Sequence, residues 1–167
     1  MASTEVLLTI GALILLSMFT LTLNSHMVKD RAAMFQSEQY LEAIGSAQRF
    51  IEQAEVLRFD ERKDASAIAS FTSSANLGPD TGESYGTFDD IDDYDGYSIE
   101  DSLTNSILFT INVSVYYVDP DYAYTPTSSN TYYKEMTVSI HSEAFAGPVE
   151  GTIVLRKLFA YHYFFSD

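Results

Sequence analysis

The chain has 167 residues, with 24 acidic side chains against 9 lysines and arginines, a formal net charge of −15 and no cysteine. So acidic a surface repels phosphate backbones, and no basic patch interleaved with aromatics offsets it, which argues against nucleic-acid binding. Without thiols there is neither a disulfide staple nor cysteine chemistry, so stability must come from packing, hydrogen bonds or a bound ion.

The first element is the run from Val6 to Leu23, almost wholly apolar, with Glu5 at its start and no lysine or arginine before Lys29. An apolar run of about 18 residues crosses most of a bilayer as a helix. A cleavable secretory signal carries basic residues ahead of its apolar stretch, and none stands here. An anchor takes its orientation from cytoplasmic Lys and Arg, whereas Lys29 and Arg31 follow the run. This charge placement is the one expected of a mature chain from which a basic leader has been cut.

Beyond Met27 the pattern turns amphipathic and meets no proline before Pro79. Tyr40, Ile44, Ala47, Ile51 and Ala54 fall on one helical stripe, with Glu42, Arg49, Glu52 and Glu55 between them for the exposed faces. One helix is predicted from about Ser3 to about Phe59, roughly 85 Å long at 1.5 Å per residue. Its apolar first half needs lipid or other proteins around it. Gly11 is a weak point costing about 1 kcal/mol relative to alanine, and Ser17, Thr20 and Thr22 can bond back to helical carbonyls.

Residues 60–80 read as a loop enclosing a short helix or strand. From Asp80 to Asp101 the chain is acidic and holds no lysine or arginine. Carboxylates so crowded repel one another unless solvated or counter-charged, so this segment is expected to be a wet loop or a cation site. Strands follow. Ile107, Phe109, Ile111, Val113, Val115 and Tyr117 alternate with polar or smaller neighbours, and Met136, Val138 and Ile140 repeat the pattern in a strand expected to pair antiparallel with the first. Ala146-Gly147-Pro148 turns the chain into a third strand through Ile153 and Leu155. A sheet with one apolar face needs a cover, and the long helix is the available one. The predicted class is α+β, organised as an apolar helix over residues 1–26, its amphipathic continuation over 27–59 and a β-rich head over 60–167.

An acidic residue at position five of an apolar helix, continued by an amphipathic helix and a β-rich head, resembles the type IV pilin-like proteins. Within that superfamily, Phe88-Asp89-Asp90-Ile91-Asp92-Asp93-Tyr94-Asp95-Gly96 is similar to a segment of minor pilins of the mannose-sensitive haemagglutinin type. The sequence departs from the family in three places. The usual Phe-Thr-Leu-Ile-Glu opening is Met-Ala-Ser-Thr-Glu, the common proline near position 22 is Thr22, and the C-terminal disulfide loop is missing, in place of which some members carry calcium. The resemblance implies a structural subunit of an extracellular filament on the cell surface, held in the inner membrane before assembly. It also implies a prepilin peptidase that removes the leader and N-methylates Met1, and an ATP-driven pilus assembly machinery.

Glu5 stands out on physical grounds, because a carboxylate in apolar surroundings either takes up a proton or finds a cation. The resemblance supplies the cation: the Met1 amine of a neighbouring subunit, a pairing that sets axial register. Asp89, Asp90, Asp92, Asp93 and Asp95 offer hard oxygen ligands beside Gly96, a set that suits calcium, though the spacing is not the twelve-residue EF-hand pattern. His26, His141 and His162 are too scattered for a metal triad, and Asn112-Val113-Ser114 matches a glycosylation sequon inside a predicted strand. No nucleophile stands beside a base and no phosphate loop is present, so the chain is not expected to be an enzyme. A minor pilin or type II secretion pseudopilin would share every one of these features. A membrane-anchored binding domain would share all but a role for Glu5.

Overall fold

One helix, α1, runs from Ala2 to Glu55 in the computed structural model, which describes residues 2–61, 67–102, 107–122, 125–143, 145 and 151–161. Met1, the Ala146-Gly147-Pro148 turn and His162 lie outside the described residues. The chain divides into two compact units, Met1–Tyr40 and Leu41–Asp167.

In the first unit α1 is a lone helix whose large apolar side chains, from Val6 through Leu23 and on to Phe35, are exposed. It is long and apolar enough to cross a membrane. The hydroxyls in this stretch are satisfied by the helix itself: Thr9 donates to the Val6 carbonyl, Ser17 to Leu13, Thr20 to Leu16 and Thr22 to Met18, each at 2.8 Å. The back-bonding expected of Ser17, Thr20 and Thr22 is therefore present. Polar groups closed in this way carry no unmet donor into an apolar medium.

The second unit opens with the last turns of α1. The stripe it buries is Ala43, Ala47, Phe50 and Ala54, whereas the sequence pointed to Tyr40, Ile44, Ala47, Ile51 and Ala54. Tyr40, Ile44 and Ile51 flank the stripe and are only half-buried. Alanines let the helix approach closely, and Phe50 fills the space between them, its ring 5.7 Å from Tyr85 and 5.8 Å from Tyr97. The helix stops at Glu55, short of the predicted Phe59. There the backbone turns away so that Arg58 can pair with the acidic segment, its N–H donating to the Asp89 carbonyl at 3.3 Å and its own carbonyl accepting from Ile91 at 2.9 Å.

The sheet is built from β1 (Ser98–Ser102), β2 (Leu108–Asp119), β3 (Thr125–Pro126), β4 (Tyr133–His141) and β5 (Thr152–Ala160). All pairs are antiparallel, in the order β1-β2-β4-β5, with β3 attached to β2. The three strands expected from the sequence are β2, β4 and β5. β1 and β3 were not anticipated, since neither has a buried face. Val113 faces Val138, which faces Leu155 in turn. Phe109, Ile111, Val113, Val115 and Tyr117 of β2 join Met136, Val138 and Ile140 of β4 in the core, and the short-residue face of α1 packs over it.

Between β4 and β5 the chain returns through Gly151, which has φ +67 and whose Cβ position lies 2.5 Å from the Ser142 carbonyl oxygen. That carbonyl is backbone and cannot swing aside. Gly151→Ala is expected to lower the stability of the second unit by about 1–3 kcal/mol, read as a lower melting temperature.

Candidate functional site

The segment Phe88–Gly96 is not a wet loop. Phe88, Ile91 and Tyr94 are buried, and so are Asp90, Asp92 and Asp93. The aromatic members pack in a second cluster with Tyr85 and Tyr97: Phe88 and Tyr94 lie 5.1 Å apart edge to face, and Tyr85 stacks on Tyr97 at 4.9 Å. Burial pushes the Tyr94 hydroxyl up to about 12.

The carboxylates survive burial because backbone N–H groups and cations meet them. Asp90 Oδ1 accepts from the N–H groups of Asp92 at 2.9 Å and Asp93 at 3.3 Å. Asp93 Oδ2 accepts from Asp89 at 2.9 Å and Asp90 at 3.2 Å. These reciprocal bonds wrap the chain into the 3₁₀ turn Asp92–Tyr94. Asp95 Oδ1 accepts from the Val115 N–H at 2.8 Å and so fastens the turn to β2. Gly96, at φ +75, then makes the reversal that a side chain would resist. Asp89 pairs with the Arg58 guanidinium.

Asp92 meets Lys134, the only lysine or arginine among the described residues that is buried. Its Nζ contacts Asp92 Oδ1, donates to the Phe59 carbonyl at 2.6 Å and lies 3.5 Å from Asp60 Oδ2. The rings of Phe59 and Tyr117 cover it at 4.6 Å and 5.2 Å. Asp60 also accepts from the Thr72 N–H at 2.9 Å, while Tyr117 Oη donates to the Thr72 carbonyl at 2.8 Å. One ammonium thus gathers the stretch after α1, the acidic turn and β4. Lys134 was not singled out from sequence, yet the alternation Met136, Val138, Ile140 extended one step back places it on the buried face.

Burial, and then the neighbouring Asp92 charge, push the Asp90 carboxyl up to about 8. Its Oδ2 is buried and has no hydrogen-bond partner. Asp92 is raised as well, by burial, against the lowering pull of Lys134. With Asp90 protonated in the fold and ionised in the unfolded chain above its ordinary value of 3.8, its contribution is complete below that value. It is lost as pH rises towards 8, by up to about 1.4 kcal/mol per pH unit. Asp90→Asn, which keeps the Oδ1 acceptor, is expected to gain on the wild-type melting temperature steadily between about pH 5 and pH 8; parallel pH profiles would contradict this.

Of the five aspartates considered for calcium, the structure places only Asp89 in a set of carboxylate oxygens close enough to share an ion, with Glu61 and Glu83, all within 4.8 Å of one another. Burial first, then Asp80 and Asp89, raise Glu61; burial also leads the causes that raise Glu83. Among the described residues, Asp90, Asp92, Asp93 and Asp95 join no such set and have oxygens committed to backbone or Lys134.

Glu5 lies in the first turn of α1 and is exposed, as are its apolar neighbours. Asn112 of the sequon sits in β2, its Oδ1 accepting from Ser98 Oγ at 2.8 Å. No protein-family model, no characterised protein and no solved structure matches the chain.

Proposed function

We propose that this chain is a structural subunit of an extracellular filament of the type IV pilus kind, held in the inner membrane before assembly. The observation that carries the reading is the first unit of α1: a helix apolar on every side from Val6 to Leu23, whose one charge before Lys29 is Glu5 in the first turn. Lipid alone would account for the apolar faces. A lipid interface accommodates a first-turn carboxylate beside the helix N-terminus, but only a neighbour's N-terminal amine lets that carboxylate enter a water-excluding helical core.

Assembly then exchanges helix–lipid contacts for helix–helix contacts, so the apolar surface stays out of water throughout. The hydroxyls of Thr9, Ser17, Thr20 and Thr22 are closed on their own helix and suit both environments. The α+β head supplies the outer surface. The partners are further copies of the chain, a prepilin peptidase that methylates Met1, and an assembly machinery.

Shearing filaments from cells and quantifying this chain in them tests the proposal. A major component is expected; a trace amount would indicate a minor pilin or a pseudopilin. Complete absence, with the chain retained in the membrane fraction, would favour an anchored binding domain.

A further inference from the structure

The contact between Lys134 and Asp92 has the features of a reaction centre as well as of an ion pair. The Lys134 side chain is 0% exposed and that of Asp92 4% exposed. Nζ rests on one oxygen of the Asp92 carboxylate, so amine and carboxyl carbon are held side by side with no diffusional search. A second carboxylate, Asp60, lies 3.5 Å from the same Nζ. The Asp90 carboxyl is a neighbour of Asp92, bound to its backbone N–H. Aromatic rings close the remaining sides. We propose that Lys134 and Asp92 condense into an intramolecular amide, a cross-link that ties the acidic turn to the central strand β4.

The step balances without any oxidant or co-reactant. Asp60 takes one proton from the ammonium, the freed amine attacks Cγ of Asp92, and Asp60 returns that proton to the carboxylate oxygen that is to leave. The tetrahedral centre collapses as that oxygen leaves as water. Of the three ammonium protons, one stays on the amide nitrogen and two depart with the oxygen, and Asp60 ends as it began. The remaining N–H keeps the Phe59 carbonyl as its acceptor.

Two buried ions become one neutral amide, which removes the desolvation penalty that burdens the pair. Fixed proximity supplies effective molarities of about 10⁵–10⁸ M, and exclusion of water protects the product from hydrolysis. The closed loop from residue 92 to 134 restricts the unfolded chain as a disulfide does, in a sequence that has no cysteine.

Peptide mapping of the full-length chain, purified in detergent and then denatured, tests this. Cleavage after glutamate, at Glu83, Glu100 and Glu135, separates residues 84–100 from 101–135. The two peptides are expected to remain joined, at their summed mass less one water, and to separate in Lys134→Arg, which keeps a cation but has no lysine amine. Trypsin is expected to spare the bond after Lys134 in the wild type. Separate wild-type peptides would overturn the proposal. So would loss of water without a junction, as from cyclisation at Asp95-Gly96, or a junction that persists in Lys134→Arg.

Discussion

Glu5→Ala is expected to abolish surface filaments while leaving the head folded and the chain in the membrane. In a water-excluding helical core, the substitution strands the neighbour's amine without a counter-ion. Breaking one partner of a buried pair costs about 3–5 kcal/mol, more than a hundredfold in the equilibrium of each subunit contact at about 1.4 kcal/mol per tenfold. Glu5→Gln separates charge from shape and should fail nearly as badly. Electron microscopy of the cell surface reads the filament; membrane fractionation and the head's melting temperature read the rest. The melting temperature should not move, because the buried stripe of the second unit begins at Ala43. Normal filaments in Glu5→Ala would favour a simple anchor.

The second large effect belongs to Lys134. Lys134→Met removes the cation that the fold buries and leaves Asp60 and Asp92 facing each other in a site closed to water. The expected loss is about 3–5 kcal/mol, a large share of the roughly 5–15 kcal/mol that holds a domain together. The damage should be felt in the Phe59–Asp60 stretch and the turn at Asp92 first, since both are held by that one nitrogen. Hydrogen exchange would show the Ile91–Asp95 amides losing protection ahead of the β2–β4 ladder. Uniform loss across the sheet would contradict the view that Lys134 fastens the turn.

The strands β2 and β4 were legible in the sequence because each alternates apolar and polar residues over several positions, the pattern a half-buried sheet imposes, and β5 was marked by Ile153 and Leu155 after a Gly-Pro turn. β1 was not, because Ser98-Ile99-Glu100-Asp101-Ser102 is exposed on both faces and so carries no apolar alternation. The helix was legible in kind but rotated. Hydropathy favoured Ile44 and Ile51 as its centre, while close packing selected Ala43, Ala47 and Phe50, where small side chains admit the sheet.

The acidic segment, expected to be a wet loop or a cation site, is largely buried from Phe88 to Tyr94 for a reason the sequence does not display. Counting charges between Asp80 and Asp101 takes no account of the backbone N–H groups that satisfy Asp90 and Asp93, or of a lysine 42 residues away from Asp92. Lys134 sits at the start of a strand whose later inward positions are Met136, Val138 and Ile140, and a charge there reads as a strand edge until the carboxylates that bury it are in view. Glu5, by contrast, was visible at once as the one charge in an apolar stretch.

Mass spectrometry of the native N-terminus, on chain recovered from the cell surface, bears most directly on assembly through Glu5. A free, N-methylated Met1 is expected, because the Glu5 pairing needs the amine exposed by removal of a leader. An unmodified initiator methionine or an uncut leader would contradict it.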